Sequence, residues 1–142
     1  QTKNSIGYVE YAYAKQNNLT VTRMLNKDGK TVAPTSEAFQ AAAANADWKS
    51  QPGYGVILAN QPGEKSWPMT AATWILVYKK PTDPAATGEA LKFFAWAYKN
   101  GGQMAEALDY VPMPANVVSD IEKYWTNEIK SADGKPVFAM TN

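Results

Sequence analysis

The chain has 142 residues, 45% of them hydrophobic and 19% charged, a balance that suits a folded protein and excludes a disordered one. Fourteen basic and thirteen acidic residues leave a formal charge of +1, which gives no field to gather nucleic acid or an anionic membrane. Cysteine and histidine are absent, so disulfides, thiolate nucleophiles, Ser-His-Asp triads and histidine or cysteine metal sites are excluded.

Length favours one domain, with a folded surface of roughly 7,200 Å² against roughly 22,500 Å² unfolded. The longest apolar run, residues 71–78, is far short of the roughly 20 residues that a spanning helix needs. The chain opens Gln1-Thr2-Lys3-Asn4, with neither an initiator methionine nor a signal peptide. A mature protein, or a piece of a longer one, begins this way.

Residues 5–9 read as a short strand leading into a helix over 10–16, where Glu10 suits the N-terminus and Asn17-Asn18 the stop. Residues 19–25 carry the β-branched Thr20, Val21 and Thr22 and read as a strand. Asp28-Gly29 signals a hairpin in which both turn residues can take positive φ, with Thr31-Val32 as the return strand. Thr35 is the expected N-cap of a second helix whose apolar face is Ala38, Phe39, Ala42, Ala43 and Ala46. Residues 47–67 read as loop, punctuated by Pro52-Gly53 and Pro62-Gly63. Residues 56–58 fit either a short buried strand or one helical turn.

Residues 69–80, with the run Thr73-Trp74-Ile75-Leu76-Val77-Tyr78, are the clearest predicted strand. Its continuous apolarity implies burial on both faces. A helix then starts at Asp83-Pro84 or at Thr87 and runs to Lys99, ended by Gly101-Gly102. A short helix over 103–108, an extended Pro112-Met113-Pro114 link and an amphipathic helix from Val117 to Ile129 follow, then a turn and a short extension. The order is α/β, but poor in strands for a self-contained sheet.

No chemistry stands out. The five tryptophans could form a sugar-stacking platform, but Trp74, Trp96 and Trp125 sit on apolar segments where packing explains them. Glu10, Glu64, Glu106 and Asp109 are candidates for a glycosidase carboxylate pair, yet no spacing selects two of them. Arg23 is the single arginine, and Gly53-Tyr54-Gly55 lacks the strand-turn-helix setting of a phosphate loop. Ser5 and Thr70 are hydroxyls beside predicted strands, the two candidates for a cleft.

Longer strings say more. Ser5-Ile6-Gly7-Tyr8-Val9-Glu10-Tyr11-Ala12-Tyr13-Ala14, then Trp67-Pro68-Met69-Thr70, then Leu91-Lys92-Phe93-Phe94-Ala95-Trp96-Ala97-Tyr98-Lys99 and Leu108-Asp109-Tyr110, resemble the phosphate-binding proteins of bacterial phosphate-specific ABC transporters, the PstS family. The resemblance covers nearly the whole chain but only about the C-terminal half of the family's chain. It implies an α/β fold that is part of a two-lobed type II periplasmic binding protein, with the C-terminal portions of both lobes present. Residues 1–66 would belong to the second lobe, 67–70 to the interlobe crossing, with Pro68, Met69 and Thr70 as hinge, and 71–142 to the first lobe.

That resemblance also implies a periplasmic, non-enzymatic protein without cofactor or metal. Its partners would be inorganic phosphate, the N-terminal half of the same protein and the membrane permease of the transporter. The family holds phosphate through backbone amides, serine and threonine hydroxyls, one arginine and one aspartate, in segments with no match here, so no ligand residue is assigned. A carbohydrate-binding or surface interaction module using exposed aromatics is the alternative reading.

Overall fold

The computed structural model describes residues 2–139. In chain order the elements are helix α1 (Tyr11–Gln16), strands β1 (Met24–Leu25) and β2 (Thr31–Val32), and helix α2 (Ser36–Ala44). A 3₁₀ turn (Pro52–Tyr54) follows, then helices α3 (Pro84–Asn100), α4 (Gly102–Ala107) and α5 (Ala115–Glu128). The architecture is mixed helix and sheet, with helix dominant.

Local signals are realised where they are self-sufficient. Thr35 Oγ1 accepts from the Ala38 N–H at 3.2 Å, capping α2. Asp83 caps α3 by accepting from the Ala86 N–H at 2.9 Å, which sets the helix start at Pro84 rather than Thr87. Asn18 leaves α1 in the left-handed region, φ 51°. The hairpin is antiparallel, with Met24 opposite Val32. Only Gly29 takes positive φ there, at 71°, whereas both turn residues were expected to be free to do so. The Asn26 N–H donates to the Lys30 carbonyl at 2.9 Å, so the loop holds three residues with glycine at its left-handed position.

Gly101 ends α3 as expected, as its C-cap, and Gly102 then opens α4. Gly101 is right-handed at φ −87°, and a Cβ there would lie 2.6 Å from the Ala97 carbonyl oxygen. The helix expected over 103–108 accordingly begins one residue earlier.

The strand expectations are corrected. Residues 5–9 form no strand, residues 19–25 pair only at β1, and residues 56–58 form neither helix nor strand, although Leu58 is buried. Residues 69–80 make no strand either beyond one isolated bridge at Met69, and the run 73–78 is not buried on both faces. Ile75 is 62% exposed and Leu76 93% exposed. A strand exists only with a partner, and none lies beside this run among the described residues.

Two apolar clusters hold the chain. Ala43, Trp48, Leu58 and Val117 form the first, against which Ala72, Met113 and Ile121 pack. Leu91, Ile129 and Phe138 form the second, joined by Val77, Phe94 and Trp125. The first draws on residues either side of 67–70. Trp48, Trp67 and Trp125 thus pack as expected, whereas Trp96 is half exposed and Trp74, 45% exposed, meets Trp48 at 5.7 Å between ring centroids. The accessible surface is 10,104 Å². That exceeds the area of a self-contained chain of this mass by about 2,900 Å².

Candidate functional site

The 67–70 segment is fixed by the backbone around it. The Trp67 N–H donates to the Ala38 carbonyl at 3.1 Å, and the Pro68 carbonyl accepts from the Asn60 N–H at 2.9 Å. Met69 forms an antiparallel bridge with Ala59. Phe39 at 6.4 Å meets the Trp67 ring edge-on. Thr70 is buried and its hydroxyl donates to the Trp67 carbonyl at 2.9 Å. Ser5 is exposed, and its hydroxyl donates to the Thr2 carbonyl at 2.7 Å. The structure does not bring Ser5 and Thr70 together through any hydrogen bond, and both hydroxyls act as local turn donors.

Beneath this segment one asparagine organises the neighbouring loop. Buried Asn26 donates from Nδ2 to the carbonyls of Gly63, Glu64 and Ser66 at 3.1, 2.9 and 3.3 Å. Its Oδ1 accepts from the N–H groups of Asp28 and Lys30 at 3.1 and 2.9 Å. Asp28 returns the connection by accepting from the Gly63 N–H at 3.0 Å. The hairpin and the loop before Trp67 are therefore one unit. An asparagine in a turn gave no sequence signal for contacts 37 to 40 residues away.

A cleft of about 290 Å³ lies between α1, the start of α2 and the turn after α4. Tyr11, Lys15, Glu37, Glu106, Asp109 and Tyr110 line it. Lys15 Nζ lies 2.6 Å from Asp109 Oδ1. The hydrogen bond and charge of Asp109 raise the Lys15 pKa above its ordinary value. Three carboxylates face one ammonium, a balance that repels an anion. Of the glycosidase candidates, Glu106 and Asp109 share this cleft, Glu64 lies 3.5 Å from Lys30, and Glu10 precedes α1 without capping it. The Lys15–Asp109 pair, 94 residues apart in sequence, was not legible in advance.

Phosphate chemistry finds no cradle in the described residues. Arg23 is exposed before β1. Gly53, at φ 63°, lies in the 3₁₀ turn, where Tyr54 donates its hydroxyl to the Asp120 carbonyl at 3.3 Å. Among the described residues no group of three His, Cys, Asp or Glu side chains could hold a metal ion, and no helix is long and apolar enough to cross a membrane.

No family model matches the chain. Individual relatives do. The phosphate-binding protein PstS of Pasteurella multocida is 52% identical over 136 residues, covering 96% of this chain and 40% of that protein. This chain belongs with the PstS proteins. The PstS of Haemophilus influenzae is also 52% identical, over 92% of this chain and 39% of its own length, and that of Xylella fastidiosa strain 9a5c is 45% identical over 92% and 36%. The chain spans about two fifths of the length of the curated relatives that it matches. The PstS relatives thus carry a further three fifths outside the matched region, which fits a shortage of strands and an excess of exposed apolar surface here.

Proposed function

We propose that this chain is part of the phosphate-binding component of an ABC transporter, working in the periplasm and handing inorganic phosphate to a membrane permease. The observation that carries the reading is 52% identity to PstS over 96% of the chain. The relatives do not favour a carbohydrate-binding module. The reading is of a binding protein and not an enzyme.

Phosphate would be held chiefly by a region like the remaining three fifths of the relatives. Two features of this chain support that division. The cleft at Lys15 carries three carboxylates against that one ammonium, and the sequence's single arginine is exposed at the hairpin. A desolvated oxyanion needs convergent N–H donors and cationic forks, which neither place supplies. The two-lobed arrangement belongs to the same proposal: residues 1–66 and 71–142 complete the second and first lobes, and the chain crosses at 67–70. The two portions share the cluster around Trp48 and Val117, so this crossing would act with that contact rather than as a free joint.

Calorimetric titration with phosphate, sulfate serving as control, tests the reading. This chain alone should give no saturable heat. Mixed with the matching N-terminal portion of the Pasteurella protein, it should give phosphate-selective heat. An assembled pair that stays silent to phosphate would overturn the proposal, as would selective binding by this chain alone for the division of the site.

A further inference from the structure

Lys15 and Asp109 come from the two portions of chain that residues 67–70 join. Lys15 lies in the last turn of α1, where a positive charge suits the carbonyl end of a helix. Local structure accounts for the lysine but not for the aspartate. The Asp109 N–H donates to the Glu106 carbonyl at 3.0 Å and the Tyr110 N–H to the Ala105 carbonyl at 2.9 Å, a Schellman ending of α4. Asp109 therefore stands at the left-handed position, φ 63°, where glycine or asparagine is usual. Its charge also has the wrong sign for a carbonyl end. Yet its side chain is only 16% exposed, and its Oδ1 lies 2.6 Å from Lys15 Nζ. A largely buried carboxylate needs a charged partner, and this one finds it on the other portion.

The place of the pair gives it leverage. Glu37, near the start of α2, lines the same cleft, whereas Ala43, near the end of α2, packs in the first cluster with Val117. The two portions thus meet at both ends of α2, roughly 9 Å apart along its axis. Held at one end alone, they could rock about the apolar contact. The other ion pair between them, Lys49 to Asp120 at 3.1 Å, does not replace this one. Asp120 lies where Tyr54 donates to its carbonyl, at the apolar end. Lys15 also stands among like charges, with Glu37 on one portion and Glu106 and Asp109 on the other. Without it, carboxylates of the two portions would repel each other.

We propose that Lys15 and Asp109 are a positioning pair that fixes the angle between residues 1–66 and 71–142, and so sets the affinity for phosphate. Binding between two lobes needs the right angle, and affinity falls with the fraction of molecules that hold it. The effect on phosphate rests on the function proposed above; the effect on the angle does not.

Spin labels at Lys27→Cys and Lys99→Cys test the angle, at exposed positions on either portion of a chain without cysteine of its own. The labelled chain should give one narrow distance distribution. Lys15→Ala and Asp109→Asn should each broaden or shift it, and Lys15→Arg should leave it narrow. Asparagine suits the left-handed turn, so Asp109→Asn should keep the urea midpoint, which separates positioning from stability. In the assembly with the matching N-terminal portion of the Pasteurella protein, Asp109→Asn should weaken phosphate binding about two- to fivefold, and Lys15→Ala by more. Distances unchanged in both variants would overturn the proposal, as would distances that shift while phosphate affinity stays put. A wild-type assembly silent to phosphate would sink the functional reading instead, and the distances would still decide the role of the pair.

Discussion

Replacing Asn26 with alanine should cost about 2–4 kcal/mol of stability. The estimate follows from what the side chain holds. Its two Nδ2 hydrogens serve the carbonyls of Gly63, Glu64 and Ser66, and its Oδ1 serves the N–H groups of Asp28 and Lys30. Each such bond is worth about 1 kcal/mol net, and a buried group left without a partner loses about 1–3 kcal/mol. Asp28 and Lys30 are exposed and recover water, while Ser66 is fully buried, which places the total in the middle of the possible range. Asn26→Asp separates donor from acceptor: it keeps the acceptor toward Asp28 and Lys30 but turns an anionic oxygen onto the three carbonyls. It should destabilise at least as much as alanine. Urea unfolding followed by tryptophan fluorescence reads both variants, with an unchanged denaturant slope. A loss below about 0.5 kcal/mol for Asn26→Ala would show that the hairpin and the 63–66 loop are held by something other than this side chain.

Three further outcomes are expected. Leu91→Ala, at a fully buried position against Ile129 and Phe138, should cost about 2–5 kcal/mol by urea midpoint, and a cost under about 1 kcal/mol would mean the second cluster is not cooperative with the fold. Gly63→Ala should destabilise by about 1–3 kcal/mol, because φ is 111° and the new methyl would run into Asn45 Nδ2 and lie 2.8 Å from Ser66 Oγ; wild-type stability in thermal unfolding would count against that geometry. The Lys79 hydrogen bond at 2.8 Å, with its charge, lowers the Glu128 pKa below the ordinary 4.5. A depressed carboxylate contributes stability above its unfolded pKa and loses it as pH falls through the folded value. The stability gap between wild type and Glu128→Gln should therefore be present at neutral pH and close below pH 4.5; a gap that persists unchanged in acid would assign it to packing.

The candidate site was legible only in outline. The strings around Tyr11, Trp67 and Phe94 pointed to the PstS proteins, and a PstS relative is 52% identical over 96% of the chain. Ser5 and Thr70 were chosen for lying beside strands, and both hydroxyls close local turns in the structure. The cleft between Lys15 and Asp109, by contrast, is made by residues 94 apart whose meeting depends on how α1 and α4 are placed, which no local pattern encodes.

Sequence by itself determined whatever one stretch of chain can satisfy from within. The caps at Thr35 and Asp83, the left-handed glycine at residue 29 and the helical runs of α2, α3 and α5 close their hydrogen bonds with near neighbours. Tertiary structure alone decided what needs a distant partner. The apolar run 73–78 reads as an interior strand, yet it lies exposed, because a strand's hydrogen bonds and both its faces must be supplied from elsewhere. Asn26 reads as an ordinary turn residue, yet it ties the hairpin to the loop before Trp67, because a buried amide takes its partners wherever the fold brings carbonyls to it.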